Sequence, residues 1–145
     1  KLCELDRPGS GVYRSNLADF SGRLSVKLEE WGKRLAHLKG ALVIEYHKNY
    51  DYLLRSYGLQ LLGTVELLPG IPPTSKHIQE LEGKIAGAKV RFILQDIYNP
   101  DEASRHLAAK HGIPMIKLPH DVGAVREAEG VFSLFDEIVR RLTHE

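Results

Sequence analysis

Residues 41–59 read ALVIEYHKNYDYLLRSYGL. Five of the first six are apolar, in a run that is too short for a helix and does not alternate as a half-exposed strand does. It reads as a buried strand of the kind found in parallel sheets. Past His47 the pattern changes. Tyr50, Leu53, Leu54 and Tyr57 recur at helical spacing and stop at Gly58, a residue suited to the left-handed turn that closes a helix. A strand passing directly into a helix fixes the fold class, and it leaves a single imidazole at the junction.

The same alternation continues along the chain. LQLLGTVEL (59–67) predicts a second strand, and the loop LPGIPPT, with three prolines and one glycine, excludes regular structure. Thr74 or Ser75 caps a helix that turns Ile78, Leu81 and Ile85 inward. VRFIL, ending at residue 94, predicts the third strand. NPDEASRHLAAKHG predicts a helix entered through Asn99 or Pro100 and left at Gly112, and IPMIKL predicts the fourth strand. Val131, Leu134, Phe135, Ile138, Val139 and Leu142 mark a last helix. Upstream, Leu17, Phe20, Leu24, Leu28, Trp31, Leu35 and Leu38 recur at steps of three and four. They predict a helix of about six turns with one apolar stripe, capped by Ser15 or Asn16 and stopped by Gly40. The expectation is an α/β fold: a three-layer α/β/α lobe with a parallel sheet of about four strands, preceded by a long helix.

Composition narrows the function. The chain has 145 residues, which suits one domain burying roughly two-thirds of its unfolded surface. Lys plus Arg (20) nearly cancels Asp plus Glu (19), and the two signs are interspersed, so no basic footprint for nucleic acid or an anionic membrane exists. The lone Cys3 has no partner for a disulfide or a zinc ribbon. The chain opens at Lys1 with KLCELDRPG, which reads as the tail of a helix ended by Pro8 and Gly9; a processed product or a piece of something longer is expected. No signal peptide is visible in it.

In open parallel sheets, ligands collect where loops leave the carboxyl ends of the strands. The polar residues there are His47 after the first strand, Glu66 near the end of the second, Gln95 and Asp96 after the third, and His120 with Asp121 after the fourth. Imidazole and carboxylate together suit a borderline divalent ion such as zinc or manganese. The bland reading is that His47 is a hydrogen-bonded spacer and that His120 and Asp121 form a polar turn. The chain contains no GxSxG, HExxH, GxxxxGK[ST] or strand-linked GxGxxG pattern.

HKNYDYLLRSYGL, LPGIPPTSKHIQEL, KVRFILQD and LPHDVGA, in that order, resemble the carboxyl-terminal half of the zinc/manganese-type solute-binding proteins of metal ABC importers, the ZnuA/TroA-like family. The resemblance runs from about Leu2 to Leu142. It implies that residues 1–40 are the end of a preceding helix plus the long connector between two lobes, and that 41–145 form the carboxyl-terminal metal-binding lobe, with the amino-terminal lobe missing from this chain. It further implies that zinc or manganese is the transported ligand, that a permease in the membrane is a partner, and that the location is periplasmic or extracytoplasmic and membrane-associated.

On the same resemblance His47 is a metal ligand. Asp121 matches the family's carboxylate in an L-x-x-D-x-G pattern, with His120 a neighbouring substitute. The site would be incomplete here, because the other ligands belong to the other lobe, and a homodimer through the exposed lobe surface is a further expectation. Gln95 departs from the family's acidic residue, and Asp96 follows it one place later. His77 reads as structural. Capture requires neutral imidazole and so weakens in acid. Two other readings stand beside this one. The first is a small α/β metal-dependent hydrolase using His120 with Asp121, or His47 with Asp96; the second is an interaction lobe whose metal site has decayed.

Overall fold

The computed structural model describes residues 1–68 and 70–144; Pro69, within the LPGIPPT loop, and Glu145 lie outside the described residues. The chain divides into two compact units, Lys1–Lys33 and Arg34–Glu145.

The first unit holds a short helix α1 (Leu2–Leu5) and most of α2 (Ser10–Leu35). The turn between them is tied by the Asp6 carboxylate, which accepts hydrogen bonds from the Gly9 amide (3.2 Å) and the Tyr13 hydroxyl (2.6 Å). This turn starts α2 at Ser10, so Ser15 and Asn16 lie inside the helix and do not cap it. The predicted stripe is divided as well. Leu17, Phe20 and Leu28 are exposed, whereas Trp31, Leu35 and Leu38 are buried. Periodicity identifies an apolar face, but it does not reveal whether the same chain covers that face.

The second unit takes in the end of α2 and a 3₁₀ turn, Ala36–Leu38, and then alternates strand and helix. The strands are β1 (Leu42–Glu45), β2 (Gln60–Thr64), β3 (Val90–Asp96) and β4 (Met115–Leu118); the helices are α3 (Asp51–Tyr57), α4 (Ser75–Ala86), α5 (Glu102–His111) and α6 (Val131–Thr143). The sheet order is β2-β1-β3-β4, and every pair is parallel. The expected α/β class and four-stranded parallel sheet are therefore present. Gly58 and Gly112 close α3 and α5 with φ of 73° and 65°, the left-handed conformation that glycine adopts without steric cost. The Thr74 hydroxyl caps α4 by accepting the His77 amide at 3.2 Å. Entry to α5 is at Asp101, two residues beyond Asn99 and one beyond Pro100, the predicted positions.

One face of the sheet buries Ile44, Tyr46, Val65 and Ile93 against Leu81 and Ile85 of α4 and Leu107 of α5. Strand side chains alternate, so Val43 and Glu45 point to the opposite face, where the buried Tyr50 hydroxyl at the start of α3 donates to the Leu118 carbonyl at 2.9 Å and Arg141 of α6 donates to the Lys117 carbonyl at 2.7 Å. Within α6, Glu137, almost fully buried, accepts from Arg140 (2.7 Å) and Arg141 (2.5 Å); those two guanidinium groups hold its pKa down at about 2. From β1 the chain moves outward to β2, and from β3 it moves the other way to β4. The direction reverses between β1 and β3, which is where a doubly wound sheet opens a crevice at its carboxyl edge.

Candidate metal centre

His47 follows β1 by two residues, and the parallel ladder fixes what stands beside it. The Tyr46 amide bonds to the Leu94 carbonyl at 2.8 Å, the Val65 amide to Glu45 at 2.8 Å and the Glu66 amide to Tyr46 at 2.9 Å. Pairing thus continues past the strand ends and places Glu66 next to His47. Their side chains meet: His47 Nδ1 is hydrogen-bonded to Glu66 Oε2. The other Glu66 oxygen accepts the Gly70 amide at 2.7 Å. The His47 side chain is 28% exposed and that of Glu66 only 5%. Among the described residues, Nε2 of His47 makes no hydrogen bond. Glu66 carried little weight in the sequence. The signal that points to it is its position one residue beyond the β2 core run, in parallel register with His47.

At the end of β4, His120 stacks edge-on against Tyr98, with ring centroids 5.1 Å apart. Its Nε2 is buried without a hydrogen-bond partner among the described residues and lies 3.9 Å from Asp121 Oδ2, beyond hydrogen-bonding reach. The Asp121 side chain is 65% exposed. The structure therefore brings His120 and Asp121 together and pairs His47 with Glu66. Among the described residues, no group of three or more His, Cys, Asp or Glu side chains is arranged to hold a metal ion.

The end of β3 is built differently. Gln95 is fully buried; its amide nitrogen reaches the carbonyls of Asp96 (3.2 Å) and Asn99 (3.3 Å), and its oxygen accepts the Ser104 hydroxyl at 2.7 Å. Asp96 accepts the amides of Tyr98 and Asn99, each at 2.9 Å, and the Asn99 side chain at 2.9 Å. Burial pushes the Asp96 carboxyl up, but those hydrogen bonds and the nearby His120 charge outweigh it and hold the pKa below the ordinary range. His77 Nε2 bonds to the Thr64 carbonyl at 2.8 Å, tying α4 to the end of β2. Of the tyrosines around the junction, Tyr46 and Tyr50 are buried and Tyr52 is exposed.

Sequence reading also passed over Glu45. It lies inside the buried run ALVIEY, is 0% exposed, and neither carboxylate oxygen has a hydrogen-bond partner of good geometry among the described residues. Burial pushes its pKa up to about 7; the Tyr50 amide, Asn49 amide and Lys48 charge pull the other way, while Asp51 adds to the rise. A lone acid in an otherwise apolar strand was the available signal.

Residues 1–144 match the family model for the zinc-uptake complex component A, periplasmic. The chain is 31% identical over 101 residues to the high-affinity zinc uptake system protein ZnuA of Haemophilus ducreyi, a match spanning 67% of this chain and 33% of that protein. Among solved structures it superposes on a ZnuA crystal structure with a TM-score of 0.78 at 22% identity, covering 99% of this chain and 53% of that one. It also superposes on the Pseudomonas aeruginosa binding protein FpvC in complex with Ni²⁺, with a TM-score of 0.75 at 24% identity, covering 98% and 52%. The chain thus spans about half the length of these solved relatives.

Proposed function

Since the chain belongs to the family of periplasmic zinc-uptake components, we propose that it is the carboxyl-terminal half of an extracytoplasmic solute-binding protein. The whole protein captures a divalent ion, zinc or manganese, between two lobes and hands it to an ABC importer in the membrane. Residues 41–145 supply the lobe, and residues 1–40 supply the end of a preceding helix and the connector. His47 is the principal ligand from this half, with Asp121 and His120 as further donors. A closed tetrahedral site needs about four ligands. The remaining donors come from the missing amino-terminal lobe. A membrane-associated location and a homodimer through the exposed lobe surface belong to the same proposal.

The observation that carries this reading is the uncommitted Nε2 of His47 at the carboxyl edge of the sheet, on β1 beside the point where the strand order reverses. The family is one of metal uptake and not of enzymes, so the hydrolase alternative is set aside. Competition titration of the full-length protein with zinc and a chelator tests the reading. His47→Ala is expected to abolish tight binding; unchanged affinity would overturn it.

A further inference from the structure

We infer that Glu66 is a positioning residue for the captured ion, one that sets the tautomer and the ring plane of His47. The inference rests on the reading of His47 as a ligand and names what makes that ligand competent. A carboxylate oxygen accepts hydrogen bonds, so the contact between Glu66 Oε2 and Nδ1 places the ring proton on Nδ1. The lone pair is then on Nε2, the nitrogen with no hydrogen-bond partner among the described residues and the one able to face a cation. Which ring nitrogen binds a metal is set by the hydrogen bond that the other makes.

Glu66 is itself held on three sides. Its amide is fixed by the Tyr46 carbonyl at 2.9 Å, its Oε1 by the Gly70 amide at 2.7 Å and its Oε2 by His47. Gly70, whose N–H donates to the carboxylate, adopts φ of 77°, a conformation that side chains disfavour. With its side chain only 5% exposed and each oxygen already accepting a hydrogen bond, Glu66 is poorly placed to be a direct ligand. It acts through His47. This also gives the glycine of LPGIPPT a task in the site: the loop holds the residue that holds the histidine.

The test is ¹⁵N NMR of the histidine side chains in the metal-free full-length protein, together with zinc affinity by chelator competition. Wild type is expected to show His47 with a protonated Nδ1 and an unprotonated Nε2. In Glu66→Ala the ring should move toward the Nε2-protonated tautomer, and zinc affinity should fall about 10–100-fold, as loss of an outer-shell partner does. Glu66→Gln preserves size, but its one oxygen can serve either Gly70 or His47 and not both, so the same changes are expected at smaller amplitude. The proposal is overturned if wild type carries the proton on Nε2, or if both variants keep the wild-type tautomer and affinity. The His47→Ala titration separates the two claims: unchanged zinc binding there defeats the ligand reading, whereas a wrong tautomer with His47 still required defeats only the role of Glu66.

Discussion

At the end of β3, Gln95 and Asp96 turn every polar atom back onto their own loop and α5; at the ends of β1 and β2, Glu66 takes one nitrogen of His47 and leaves the other uncommitted. Both pairs occupy the same carboxyl edge of one sheet, and both are imidazole-, amide- or carboxylate-bearing. The difference lies in satisfaction. Buried polar groups are normally hydrogen-bonded, and the β3 pair meets that rule within the fold, which makes it architecture. A partly exposed donor atom held in place and given no partner is available to a ligand.

Four substitutions press on this contrast. The largest effect is expected from His47→Ala, which should reduce zinc affinity of the full-length protein by more than the about 10–100-fold typical of an outer-shell change, with little change in melting temperature; isothermal or chelator titration beside a melting curve checks both. Gln95→Ala should do the reverse. It strands the Ser104 hydroxyl, empties buried space and costs about 2–4 kcal/mol in denaturant unfolding, with zinc affinity preserved; a loss of affinity without loss of stability would erase the distinction between the two edges.

Next is Glu45→Gln. A carboxyl whose folded pKa is raised to about 7 contributes stability that is complete below its unfolded value and is lost as pH rises toward 7. Unfolding free energies should therefore coincide at pH 4 and diverge above it. By pH 8 the variant should be more stable by about 1–3 kcal/mol, the cost of a buried unsatisfied polar group. Parallel curves across that range would show that Glu45 is paired in solution. Asp96→Ala should cost about 1 kcal/mol, similar to a lost side-chain cap. Because the Asp96 pKa is depressed, its contribution is present above the unfolded carboxyl value and disappears as pH falls through the folded one. The gap between variant and wild type should close in strong acid.

The sequence carried the sheet because parallel strands buried on both faces read as continuous apolar runs, and because Gly58 and Gly112 end helices where left-handed φ is needed. It misplaced the start of α2, where the Asp6 carboxylate accepts the Gly9 amide three residues on and the Tyr13 hydroxyl seven residues on, a local turn signal that the reading passed over. The stripe on that helix gave the apolar face but not its cover. At the site, strand-end position gave six polar candidates and the family resemblance narrowed them to His47, His120 and Asp121, while the pairing of His47 with Glu66 depends on the β1–β2 register and on a glycine amide four residues further on. Gln95 looked like a missing ligand, and its part in the fold became visible only once Ser104, nine residues away, lay against it.

The account stands or falls on where the ion binds. Crystals of the full-length protein grown with zinc, with anomalous differences recorded across the zinc edge, should place a peak about 2.0–2.1 Å from Nε2 of His47. Nδ1 should still be on Glu66. A fully occupied zinc peak elsewhere, with Nε2 of His47 bonded only to water or protein, would contradict it.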